Sequence, residues 1–226
     1  MSAYRKTAVL VGIFFIIGTV AGVLSMVFLG PFMDTPEYLN SIAANESKVV
    51  IGALFILTMG FALTMVPVLL YPIFRKYNHA LALAAVVFRG ALEAVVYMAQ
   101  AALWLILLTL SQEFRLAGSS ETALFQQLGA IFMQTDAWLA HILSIVFSLG
   151  ALMIYWIFYR TKLIPRWLSA WGLIGGLLYF VAPMVGLFGM DWGFLMLLLA
   201  VQEMVLALWL IIKGFDQTAL ASLSKK

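Results

Sequence analysis

A chain of 226 residues that is 65% hydrophobic and 10% charged, with a mean hydropathy of +1.07, departs on both counts from a soluble domain, which is roughly 45–50% apolar and about 25% charged. A soluble globular fold is excluded, and an integral membrane protein is predicted. The net charge of +3 sits at the ends of apolar stretches, where membrane topology accounts for it and nucleic-acid binding does not. Cysteine is absent, which excludes disulfides, thiolate metal sites and thiol chemistry.

In chain order, apolar windows fall at about 7–29, 49–74, 80–110, 137–159, 167–188 and 192–212. Each is long enough to cross a hydrocarbon core of about 30 Å. They predict an all-α polytopic bundle of six transmembrane helices, forming one integral membrane domain over residues 1–226. Arg5 and Lys6 precede the first window, whose apolar run of about 23 residues lacks a small-residue cleavage site and reads as an uncleaved anchor. After it, Asp34-Thr35-Pro36-Glu37 combines a capping residue, a proline suited to the first helical position and an acid in the first turn. A short surface helix through about Asn45 is expected. Residues 122–135 place Leu124, Leu128, Ile131 and Phe132 on one side, as an interfacial amphipathic helix or as an extension of the fourth span.

Cations cluster at alternate connections: Arg5 and Lys6; Arg75 and Lys76; Arg160, Lys162 and Arg166; Lys213, Lys225 and Lys226. Lys48 and Arg115 fall on the other side, with Asp34, Glu37, Glu46, Glu113, Glu121 and Asp191. The positive-inside rule then puts both termini in the cytoplasm of a cell whose inner membrane holds the protein. Gly18-xxx-Gly22, Gly172-xxx-Gly176 and Ser144-xxx-Ser148 permit close helix approach, as packing within the monomer or as a dimer face. A homo-oligomer is compatible with these pairs but not indicated by them. Pro67 and Pro183 lie inside spans, where each removes a backbone hydrogen bond. The seven tryptophans fall mostly near span ends, as interfacial anchors do.

The polar residues inside the spans carry most of the information. Arg89 and Glu93 are the only formally charged residues in the third window, and an ionised group near a bilayer centre costs at least about 2.5–3.5 kcal/mol. Arg89, Glu93, Tyr97, Gln100 and Trp104 follow at spacings of three or four, forming one stripe that must face protein or water. At about 1.5 Å per residue, Arg89 lies roughly 13 Å and Glu93 roughly 20 Å from the cytoplasmic end of their helix. Glu203, preceded by Gln202, lies about 16 Å below the outer end of the sixth. These depths nearly coincide. With His141 on the fourth span and Asp136 at its mouth, the third, fourth and sixth helices are expected to converge on one outward-opening pocket. One guanidinium beside two carboxylates leaves an excess negative charge that a proton, a cation or a protonated His141 would settle. The alternative is a bridge that only fixes helix register.

Other chemistries find little support. A bis-histidine haem needs two placed imidazoles, and only His141 lies in a span. A Schiff base needs a buried lysine, which no span interior has. GxSxG, HExxH and phosphate-binding glycine loops are absent. No cofactor or metal is expected, and a catalytic role is not favoured.

The stretches RKTAVLVGIFFIIGTVAG, YPIFRKYNHALALAAVVFRGALEAV, YRTKLIPRWLSAWGLIGG and VQEMVLALWLIIKGF resemble the bacterial and archaeal membrane proteins of the domain-of-unknown-function 4386 family. The most specific pieces are FRxxxE at Phe88, Arg89 and Glu93, YRxxxIPRWL from Tyr159 to Leu168, and QEMxLAxWL holding Glu203. The resemblance implies a small prokaryotic integral membrane protein and no particular activity. The residues themselves lead to a protein of the lipid bilayer that binds a small ionic or amphipathic ligand, as transporter or sensor, through Arg89, Glu93, Glu203, His141, Tyr97, Gln100, Gln202 and Asp136. Two alternatives stay open: an intramembrane enzyme on a lipid-like substrate, with a glutamate and His141 as acid and base, and a scaffold whose Arg/Glu core is structural.

Overall fold

The computed structural model describes residues 3–33, 35–117, 121–190 and 192–223. Asp34, Asp191, Lys225 and Lys226, which entered the capping and charge expectations, lie outside the described residues. Those described are all-α and include six helices long and apolar enough to cross a membrane: Ala3–Met33, Glu46–Phe74, His79–Leu116, Thr122–Thr161, Arg166–Gly186 and Gly193–Ile212. They are the first to sixth spans. Each is apolar on its outward face as well as its inward one; Leu54, Phe61 and Ile174 are all more than half exposed, as suits helices whose solvent is lipid.

The spans form a ring in chain order. Each packs against its successor, and the sixth returns to the first. Short connections favour this order because consecutive antiparallel helices are neighbours by default. The closing seam has specific chemistry. Arg5 of the first span donates to the carbonyls of Leu210, at 2.9 Å, and of Ile211 and Ile212, satisfying acceptors that the end of the sixth helix leaves free. Deeper along this seam, Gly12 lies against the Ala207 carbonyl and the Ile211 side chain.

The two glycine pairs pack within the chain. Gly18 and Gly22 receive Leu63 and Met59 of the second span, and Gly172 and Gly176 receive Tyr155 and Leu152 of the fourth. Both pairs thus lie at seams of the ring, where a missing Cβ lets backbones approach.

The structure decides one open alternative and departs from the sequence expectation in two further details. Residues 122–135 are not a separate interfacial helix; they are the start of a continuous 40-residue helix, about 60 Å long at about 1.5 Å per residue. Its first turns stand beyond a core of about 30 Å, which is why they carry Gln126, Gln127 and Gln134. The surface helix runs Tyr38–Ala44, later than the Asp-Thr-Pro-Glu run implied, and Glu37 makes no side-chain cap. Leu39 and Ile42 anchor it to the bundle. Beyond the sixth span, Asp216 caps a further short helix, Gln217–Leu223, by accepting from the Ala219 amide at 2.8 Å. Ala219, Leu220 and Leu223 fasten that helix to the core.

Candidate functional site

The third span is interrupted by a π-helical segment, Val87–Leu92, that holds Arg89. A π turn inserts one extra residue into the helical repeat and commonly marks a functional position. Its neighbour is Gly150 of the fourth span: a Cβ there would lie 2.6 Å from both the Arg89 amide nitrogen and the Arg89 Cβ. The absence of a side chain at Gly150 lets the fourth span lie against the bulge, and Arg89 is directed into the ring.

There both terminal nitrogens of the guanidinium are engaged. Nη1 donates to Glu93 Oε1 on its own helix, and Nη2 donates to Glu203 Oε1 on the sixth span at 3.3 Å. The guanidinium carbon lies 4.3 Å from the centre of the Phe147 ring, in cation–π contact. Arg89 and Glu93 are each 1% exposed and Glu203 is 8% exposed. The Tyr155 hydroxyl adds a long donor contact to Glu203 Oε1 at 3.5 Å.

The two carboxylates differ in what surrounds their second oxygens. Glu93 Oε2 is sealed without a hydrogen-bond partner. Glu203 Oε2 also receives no hydrogen bond, but it is not sealed. Glu203 and Arg89 form part of the wall of a cavity of about 470 Å³ inside the ring, to which all six spans contribute. Its aromatic wall is Tyr97, Trp104, Phe147 and Tyr179; its aliphatic wall includes Ile56, Met59, Leu63 and Leu143. It occupies the half of the bundle away from the termini, since its first-span residues run from Thr19 to Met26 and its third-span residues from Arg89 to Trp104. Val23, Met26, Ala140 and Ala200 line it and are themselves exposed, which marks where it opens.

At the far end, Asp136 joins the third and fourth spans. Its Oδ1 accepts from Gln100 Nε2 at 3.0 Å and from Trp104 Nε1 at 2.9 Å. Trp104 is 7% exposed and belongs to this site, unlike the interfacial anchors among which its position near a span end placed it.

The sequence-derived set is therefore only partly assembled. Arg89, Glu93, Tyr97, Gln100 and Glu203 surround or support the cavity, and Asp136 holds its rim. Gln202 points elsewhere: its amide nitrogen donates to the Leu168 carbonyl at 3.0 Å and ties the sixth span to the fifth. His141 lines a different cavity, of about 340 Å³, with Pro183, Gly186 and Trp192. The expected convergence of His141 on the acids is not what the fold provides, because on the fourth span Ser144 and Phe147, not His141, face the ring interior. Phe147, Tyr155 and Tyr179 were missed by sequence reasoning. Isolated aromatics in apolar helices carry no pattern that separates them from ordinary core. A further cavity, of about 620 Å³, is remote from the buried charges, beside Lys162, Arg166 and Lys213 on the terminal face. Among the described residues no group of three His, Asp or Glu side chains is placed to hold a metal ion.

Fold and site together define a multi-pass α-helical membrane protein with a charged centre enclosed by six spans. The profile of one family, described as Domain of unknown function (DUF4386), matches residues 10–214, so the chain belongs to that family. Comparison with curated proteins finds no match, and comparison with solved structures finds none.

Proposed function

We propose that this protein binds a small ionic or amphipathic ligand in the cavity inside the ring, as a transporter or sensor of a prokaryotic inner membrane. One observation carries the reading: a carboxylate oxygen of Glu203, held in place by Arg89, is left without a donor at the wall of a cavity of about 470 Å³. That volume is within the roughly 300–1,000 Å³ of small-molecule sites, and mostly apolar walls with a few placed polar groups are their usual composition. A charge confined at mid-membrane depth is a functional feature by default. The cluster divides its labour: the Arg89–Glu93 pair sets geometry, and Glu203 meets the ligand.

The excess of cations on the terminal face, with Arg5, Lys6, Arg75, Lys76, Arg160, Lys162, Arg166 and Lys213 against Lys48 and Arg115, supports an orientation with the termini cytoplasmic and the cavity opening outward. Native mass spectrometry of the detergent-purified chain tests the binding role. A small molecule should remain bound, and Ala140→Trp, which fills the opening without altering charge, should remove it. Absence of any bound compound, together with no response to added small molecules, would refute the reading. Flux of the identified compound in proteoliposomes, or binding without flux, then separates transporter from sensor.

A further inference from the structure

The chemistry of the cavity wall selects among ligand classes. This step rests on the proposed binding role and narrows it.

An anion is poorly served. The only cation in the wall is Arg89, and its two terminal nitrogens already donate to carboxylates while Phe147 covers the guanidinium. An entering anion would meet the Glu203 carboxylate at the same wall, and a guanidinium whose charge two acids already offset. A metal ion is served no better. Sodium, calcium or magnesium exchanges its water shell for several oxygens gathered at one point, whereas the wall offers one carboxylate and neutral oxygens of Thr19, Ser25, Gln100, Ser144 and the tyrosines that are scattered over separate spans among aromatic and aliphatic side chains. A bare proton would satisfy Glu203 but leaves the volume and its apolar lining without a use.

A hydrophobic amine fits each feature. Its ammonium supplies the donor that Glu203 Oε2 lacks and the positive charge that one guanidinium between two carboxylates leaves wanting. The wall rings of Trp104, Tyr97 and Tyr179 favour a cation by their quadrupoles, and the remaining wall accepts an apolar body. We infer that the cavity takes a hydrophobic primary or secondary amine in its protonated form, with the ammonium donating to Glu203 and the apolar portion lying among Met59, Leu63, Leu143 and Trp104.

Dansylcadaverine, a fluorescent primary amine, provides a direct probe, with a dansyl carboxylic acid of matched length as its counterpart. Both are titrated into the purified full-length protein in detergent micelles at neutral pH. The amine should bind saturably and the acid should not compete with it. Glu203→Gln should weaken amine binding at least tenfold. Ala200→Trp, which occupies the cavity mouth and keeps every charge, should abolish it, so the conclusion does not depend on a charge variant that fails to fold. Equal amine affinity in Glu203→Gln, or amine binding that survives Ala200→Trp, would overturn the inference. Binding of the acid instead, lost in Ala200→Trp, would also overturn it while leaving the binding role of the cavity intact. If neither probe binds and no compound is retained on purification, both the inference and the binding role fail.

Discussion

Arg89 Nη2 reaches Glu203 Oε1 at 3.3 Å across the interior of the helical ring, joining residues 114 positions apart in the chain. With Glu93 on its other terminal nitrogen, Arg89 is the only formal cation balancing two buried acids. Replacing it with Gln leaves both carboxylates without a counter-charge, and breaking a buried pair in this way costs about 3–5 kcal/mol. Arg89→Gln is therefore expected to lower the melting temperature of the purified protein sharply.

The triple variant Arg89→Gln, Glu93→Gln, Glu203→Gln removes the whole charge set. Because desolvation of the ions offsets most of their mutual attraction, thermal melting should show most of the stability lost in Arg89→Gln restored. Ligand retention in native mass spectrometry should not return. Recovery of both stability and ligand would instead assign the cluster a structural role alone.

Gly150 and Gly30 form a matched pair of tests. A Cβ at Gly150 meets the Arg89 backbone at 2.6 Å, whereas one at Gly30 meets nothing within 4 Å. Gly150→Ala should force the fourth span off the π segment and destabilise by about 1–3 kcal/mol, the usual range for overpacking. Gly30→Ala gains up to about 1 kcal/mol of helix propensity against the clash of its Cβ with the ring of Pro31 in helical backbone, and should change stability little. Chemical denaturation of the two variants side by side reads the difference.

Trp104 and Gln100 share one acceptor, Asp136 Oδ1. Trp104→Phe removes a hydrogen bond to a charged group, about 1.5–3 kcal/mol, and Asp136→Asn weakens the same contact. A double-mutant cycle on melting stability should show coupling of at least about 0.5 kcal/mol between the two positions. Strict additivity would mean that the seam between the third and fourth spans does not depend on this bond.

Orientation is testable with little background, because the chain has no cysteine. Asn40 and Thr218 are exposed at opposite ends of the bundle. In intact cells a membrane-impermeant maleimide should label Asn40→Cys and spare Thr218→Cys, and permeabilisation should expose the latter. The reverse pattern would place the termini outside.

The sequence by itself determined the spans and the depth of the buried charges. Hydropathy over about twenty residues and a rise of about 1.5 Å per residue are local properties, so six helices and the shared level of Arg89 and Glu203 needed no knowledge of neighbours. The stripe Arg89, Glu93, Tyr97, Gln100 and Trp104 was legible for the same reason: helical periodicity says which side chains share a face.

Only the tertiary structure decided which face meets which neighbour. The rotation of each helix about its axis is set by pairwise packing: Gly150 against the π bulge, Gly172 against Tyr155, Arg5 over the end of the sixth span. A π turn leaves almost no trace in a 3.6-residue pattern. Depth alone allowed His141 to join the acids; the azimuth of the fourth span turned it into another cavity and placed Phe147 against Arg89 instead. The distinction between a sealed Glu93 and an accessible Glu203 arises in the same way, because burial depends on all six helices at once.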